Sequence, residues 1–307
     1  MLTSFFGKSS PINYLLTALV IAGAYIFVVI PAAPEAITLR WGLEHLLDLI
    51  VLVFSILLLD FIIRKNGLTL SNNYGIFLFG CFLLCISSVF IDQNIVIANL
   101  FIMLALRRML SLRSGKKFQK KVLDAALWIG VATFFYFWSF LLLPVLFFAI
   151  LQQDNFKRKH LFIPIIGLLA VGVLATSFFI LSNDTLLWFS DWMEPPGFNF
   201  APYNELTLLL PVTLITTLLL WTGIARFMRI SKLAKKARPG YYLLLLILIS
   251  TVAMALVSPL KTGAELLFLI TPLSIVVANY IEHLEEFWFK ELLLWGLLIT
   301  PIVLLFV

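Results

Sequence analysis

The chain has 307 residues, 62% of them hydrophobic and only 12% charged, with 22 Lys and Arg against 16 Asp and Glu for a formal net charge of +6. A mean hydropathy of +1.06 excludes a soluble globular domain, which could not cover so much apolar surface. The apolar residues stand in continuous rather than alternating runs, which disfavours a β-barrel and predicts an all-α polytopic membrane protein, a single transmembrane domain over 1–307 with no nucleic-acid partner.

Residues 1–10 carry Phe5 and Phe6 next to Lys8 and read as a short interfacial segment. The first apolar run, 12–30, is long and is followed within a dozen residues by another, so it reads as a retained span rather than a signal peptide. Further spans are expected over 43–63, 74–91 and 95–112. The densest cationic stretch follows, with Arg107, Arg108, Arg113, Lys116, Lys117, Lys120 and Lys121, and cationic excess in short loops marks the cytoplasmic side. Lys157, Arg158 and Lys159 form the next basic cluster, so both flanks of the intervening apolar stretch 123–152 read as cytoplasmic. An even number of passes is needed there, which predicts a tight hairpin or re-entrant pair of short helices turning near 138–142.

The stretch 161–181 then leads outward into 183–205, a periplasmic amphipathic loop holding Asp184, Asp191, Glu194 and Glu205 without Lys or Arg and with Trp188, Trp192, Phe198 and Phe200 interleaved. Residues 206–228 return to Arg226, Arg229, Lys232, Lys235, Lys236 and Arg238, after which Pro239 and Gly240 break the helix. Spans over 241–257, 266–280 and 292–307 complete about eleven crossings, with the N-terminus inside and the C-terminus outside. Neither inverted repeats nor paired interrupted helices, the marks of a secondary transporter, are evident in the sequence.

Arg40, Glu44 and Asp48 are spaced four apart and fall on one face at the outer end of the second span, with His45 beside them and Glu35 in the preceding loop. Ionisable groups within a span are costly and are functional candidates by default. The alternative is an Arg40–Glu44 ion pair with Asp48 bonded to a neighbouring helix. Asp92, with Gln93 and Asn94, supplies hard oxygen ligands suited to a divalent cation, and it equally suits a helix cap. Lys261 and Glu265, again four apart, offer either a phosphate contact or a simple pair. On the inner side Asp60 and Arg64 read as an intrahelical pair, and Asp124 favours a helix N-terminus. Cys81 and Cys85, one turn apart within a span, pack as small apolar residues. His45, His160 and His283 are too scattered for a multi-histidine metal site, and there is no phosphate-binding glycine loop or nucleophile elbow.

The opening residues from Met1 to Asn13, the stretch Ile97-Ala-Asn-Leu-Phe-Ile-Met-Leu-Ala-Leu-Arg-Arg-Met-Leu-Ser-Leu-Arg-Ser, Leu123-Asp-Ala-Ala-Leu-Trp and Phe135-Tyr-Phe-Trp resemble an uncharacterised multi-pass membrane family of flavobacteria and related Bacteroidota. The likeness runs the full length. Some members carry the label β-carotene monooxygenase, which the sparse histidines here do not support. The resemblance implies a Gram-negative inner membrane and no activity. The order of Asp92, a span ending in Arg107 and Arg108, a short-helix pair over 123–152 and a second basic loop is similar in architecture to the polytopic GT-C glycosyltransferases that use polyprenyl-phosphate sugars. The departures are a very short first outer loop, with Glu35 as its lone acid, and no large periplasmic domain.

Two functional expectations follow. One is an envelope-building transferase acting on a polyprenyl-phosphate-linked substrate at the periplasmic face. There Glu44, Asp48 or Glu35 would be the general base, Arg40, Lys261 and His45 would hold substrate, and Asp92 would help hold a divalent cation. The other is a non-catalytic scaffold or lipid-binding subunit of a larger inner-membrane protein complex, suggested by the short loops and the aromatic outer segment.

Overall fold

The computed structural model describes every residue except 37, 154–155, 184–187, 233–234, 236–237 and 305–307, together with all side chains of the described residues save Asn183 and Asp191. Asp184 and Lys236, counted above among the loop charges, lie outside the described residues, as do the last three residues of the final expected span. In chain order the α-helices are α1 (Leu2–Phe6), α2 (Pro11–Val29), α3 (Leu39–Asn66), α4 (Tyr74–Leu84), α5 (Gln93–Ser111), α6 (Phe118–Phe135), α7 (Leu143–Leu151), α8 (Phe162–Asn183), α9 (Trp188–Trp192), α10 (Leu206–Arg229), α11 (Arg238–Val257), α12 (Leu267–Glu282) and α13 (Phe287–Leu304). No strand occurs among the described residues.

The long helices begin where the sequence supplies caps. Ser10 Oγ accepts from the Ile12 amide at 3.4 Å with Pro11 at the first helical position. Thr38 Oγ1 accepts from the Trp41 amide at 3.2 Å. α3 ends at Gly67 in the left-handed conformation, φ +58°, which an L side chain adopts only with strain.

Eight helical segments among the described residues are long and apolar enough to cross a bilayer, namely α2, α3, α5, α8, α10, α11, α12 and α13 with their short flanking turns. The chain is therefore a polytopic helical membrane protein. The expected count of eleven is not reached on that measure, and the reason is local. The span expected over 74–91 is an 11-residue α4 that stops at Cys85, followed by a 3-10 turn, Ser87–Phe90. α7 has only nine residues, about 14 Å of helix. α6 has 18 residues but carries Lys120, Lys121 and Asp124 in its first two turns. The turn between α6 and α7 is a 3-10 segment, Phe137–Leu142, where the hairpin was expected. The interruption at Cys85–Ile86 went unseen in the sequence because no Pro or Gly marks it.

The chain divides into two compact units. The first comprises Met1–Val96, Phe200–Ser231 and Lys261–Val307. Its centre is α4, in which every residue from Tyr74 to Leu83 is buried, packed among α2, α3, α12 and α13. A helix apolar on every side buries every side, as α4 and α12 both do. Close approach rests on small residues, as is usual between helices in lipid. A Cβ on Gly80 would stand 2.9 Å from Thr17 Cγ2 of α2. One end of this unit is held by polar contacts around Arg64, which bonds Ser9 and Tyr14 and lies 3.2 Å from Asn73 Oδ1, and pairs with Asp60 at 2.6 Å as the sequence spacing suggested. At the same end Glu282 accepts from the Leu70 amide at 2.8 Å and from Asn72 at 3.0 Å. α1 docks through Glu291 of α13, whose carboxylate accepts from the Leu2 amide at 2.6 Å, the Thr3 amide at 3.1 Å and Thr3 Oγ1 at 2.5 Å.

The second unit comprises Ile97–Asn199 and Lys232–Leu260. α6 and α8 form its main helix pair. A Cβ on Gly167 of α8 would meet Ala126 Cβ at 2.8 Å, so the backbones approach as closely as glycine allows. Asp124 pairs with Arg108 at 2.9 Å. Beyond the α6–α7 turn, Phe134, Phe179, Trp188 and Trp192 form an aromatic cluster, and the Trp192 indole donates to the Thr133 carbonyl at 3.1 Å. The aromatics of the expected outer loop thus pack onto the helix pair. Only Phe198 and Phe200 of its four marked rings are exposed, at 66% and 39%.

Candidate functional site

In the first unit, the start of α3 presents Glu44, His45 and Asp48 on one face, as the four-residue spacing requires. Arg40 and Glu44 form an ion pair at 2.8 Å, with side chains 89% and 44% exposed. Such a pair in water stabilises little. Glu35 is exposed in the preceding loop. One turn further along α3 the environment changes, because Asp48 is only 3% exposed. The Gln93 side-chain amide stands beside its carboxylate, while Oδ1 has no hydrogen-bond partner among the described residues. Glu44 and Asp92 stand close enough to repel its charge.

Tyr25 of α2 completes this corner. Its hydroxyl lies 2.8 Å from His45 Nδ1, its ring packs edge-on against Phe90, and it is 3% exposed. Trp41 covers the other side of the imidazole, with ring centroids 4.4 Å apart. Asp92 Oδ1 accepts from the Ile95 amide at 3.1 Å and so caps α5. Among the described residues no group of three or more His, Cys, Asp or Glu is arranged to hold a metal ion.

A second polar knot lies where α10 and α12 begin, in the same unit. Glu265 is completely buried, accepts a hydrogen bond from the Tyr203 hydroxyl and lies 3.4 Å from Thr262 Oγ1. Lys261 is 4% exposed, with Nζ 4.9 Å from the centre of the Phe200 ring. Burial pulls the Lys261 ammonium below the ordinary lysine range, against an opposing pull from Glu265. Gly263, φ +88°, makes the turn, and a Cβ there would stand 3.4 Å from Ser88 Oγ, itself a buried atom without a partner among the described residues. The 3-10 turn Ser87–Phe90 thus touches both groups, through Phe90 on Tyr25 and through Ser88 beside Gly263.

Of the seven residues singled out in the sequence, Asp48 and His45 share one corner, Lys261 sits with Glu265 in the second, and Arg40, Glu44, Asp92 and Glu35 are paired, capping or exposed. Sequence reasoning missed Tyr25 and Tyr203. A phenol one helical turn from the end of an apolar span is a weak signal for Tyr25, and no signal marked Tyr203.

A bundle of apolar helices with an internal acid and a buried lysine defines a polytopic membrane protein with polar groups enclosed at one end of its first unit. The chain belongs to a family of unknown function, DUF6427, whose profile matches residues 13–307. No curated protein and no solved structure matches it.

Proposed function

We propose that the chain is an inner-membrane protein of bacterial envelope biogenesis, N-terminus inside and C-terminus outside, a GT-C-like transferase acting on a polyprenyl-phosphate-linked substrate at the periplasmic face. The observation that carries this reading is Asp48, a carboxylate buried in a span with one oxygen left without a hydrogen-bond partner. Burying such a group costs stability, and a fold tolerates that where the open oxygen has work to do. In this reading Asp48 takes the proton of an acceptor hydroxyl and Gln93 orients it. Lys261, charged and sheltered, holds the donor phosphate, while the Tyr25–His45 pair lines the acceptor side. The exposed Arg40–Glu44 pair and Glu35 recede as catalytic candidates, and Asp92 serves as a cap. The sequence order around Asp92 and the short α6–α7 pair between two basic loops supports the architectural likeness.

The test starts from native-detergent purification followed by mass spectrometry of bound lipid. A polyprenyl phosphate or its sugar conjugate should copurify, and Lys261→Met should lose it. Transfer from that donor should vanish in Asp48→Asn and survive in Glu44→Gln, and transfer retained in Asp48→Asn removes the proposal.

A second reading, a non-catalytic subunit of a larger membrane complex, is supported by α8, of which only 6% of the apolar window is buried within the chain. Stoichiometric protein partners without a polyprenyl lipid would select it.

A further inference from the structure

The second unit holds a cavity of about 620 Å³ that none of the preceding chemistry uses. Two basic segments far apart in sequence converge on it. Lys117 and Lys120 come from the start of α6, and Lys157 and Lys159 from the turn before α8, with Gln119 and His160 between them. Among the described residues no carboxylate lines the cavity. Four ammonium groups around one hollow repel one another, and none of the described residues on its wall carries a charge that would neutralise them.

Two further observations point to what would. The first is the start of α6. Its capping position is Lys117, in the left-handed conformation at φ +51°, with no side-chain cap and no acid in the first turn. The first-turn amides of α6 therefore add partial positive charge at the wall without a side-chain acceptor. The second is His160, 5% exposed and packed against Phe118 at 4.9 Å. Its Nδ1 accepts from the Lys157 amide at 3.2 Å, so the proton of the neutral ring sits on Nε2. Nε2 in turn lies 3.5 Å from Gln119 Nε2. A neutral imidazole cannot accept at both nitrogens, so Nε2–H donates to the Gln119 side chain, whose amide oxygen accepts in the orientation this tautomer requires, and the Gln119 NH2 is left as a donor at the cavity wall.

We propose that this cavity is a binding site for a phosphate group, carried either by an anionic lipid headgroup or by a soluble phosphate. Lysine ammonium groups bind it as point charges, and the Gln119 NH2, held in place by His160, donates to its oxygens. The site is separate from the Asp48 corner, and its existence does not depend on the transferase reading.

The full-length chain is reconstituted in nanodiscs of zwitterionic lipid alone or with phosphatidylglycerol, and its melting temperature is followed against phosphatidylglycerol fraction or against added inorganic phosphate. Lys120→Gln and Lys157→Gln are each compared with Lys232→Gln, which removes the same charge from another basic segment. Each cavity lysine should be worth about fivefold in the concentration giving half the stabilisation, the factor to which ~1 kcal/mol corresponds. Lys232→Gln should leave it unchanged. A response to phosphatidylglycerol that the cavity variants lose, without a response to inorganic phosphate, identifies a lipid headgroup. A response to inorganic phosphate with the same variant pattern identifies a soluble phosphate. Equal effects of the cavity and control variants, or no response to either probe, overturn the site and leave these lysines as topology determinants. Gln119→Leu, which changes no charge and leaves orientation signals intact, must weaken the response as well, and an unchanged response in that variant also overturns the proposal.

Discussion

Asp48 and Asp92 are both carboxylates near the same helix ends, and their surroundings give them different work. Asp92 spends an oxygen on the Ile95 amide, an interaction that belongs to the helix start. Asp48 keeps an oxygen open under burial and under repulsion from Glu44 and Asp92. Replacing it with Asn removes the buried charge and keeps the shape, so Asp48→Asn should raise stability by about 1–3 kcal/mol, seen as a higher melting temperature in detergent. A large loss of stability would instead make Asp48 a structural bond. Lys261 makes a pH prediction. Its folded-state pKa lies below the ordinary lysine value, so the cost of burying its charge is present at neutral pH and is relieved as pH rises through the folded value toward the ordinary one. The melting temperature should therefore climb on the alkaline side more in the native chain than in Lys261→Met, and parallel curves would contradict this.

At the scale of elements, the spacing of Arg40, Glu44 and Asp48 was enough to place them on one face, because helical periodicity is local. It could not say which of the three is buried, since that depends on α2 and on the turn at Ser87–Phe90. The span expected over 74–91 was half legible for the same reason: its apolar run was plain, but its break at Cys85 is set by the packing of the 3-10 turn Ser87–Phe90 against its neighbours rather than by Pro or Gly. α1 is short enough that it owes its position to Glu291. Glu291→Gln weakens three charge-assisted bonds, so amide exchange at residues 2–6 should speed up by about tenfold or more while the buried amides of α12 stay protected. Unchanged exchange at α1 would mean that Phe6, 3% exposed, holds the helix by itself.

For the whole molecule, the proposed orientation puts Glu35 outside and Lys116 inside. Cys81 and Cys85 are buried, at 3% and 5% exposure, so single cysteines introduced at Glu35 and Lys116 can be read against a quiet background. A membrane-impermeant maleimide on intact cells should label Glu35→Cys, and Lys116→Cys only after the membrane is opened; the reverse pattern would invert the topology. Composition and the length of the apolar runs by themselves determined that this is a helical membrane protein, because lipid leaves a backbone no other open choice. Charge spacing along single helices determined the Arg40–Glu44 and Asp60–Arg64 pairs, since four residues make one turn. Only the tertiary structure decided which apolar runs are full spans, that Tyr25 meets His45 and Tyr203 meets Glu265, and that lysines some forty residues apart share one cavity. Those contacts join residues distant in sequence, and nothing local in the chain encodes which distant partner a buried polar group will find.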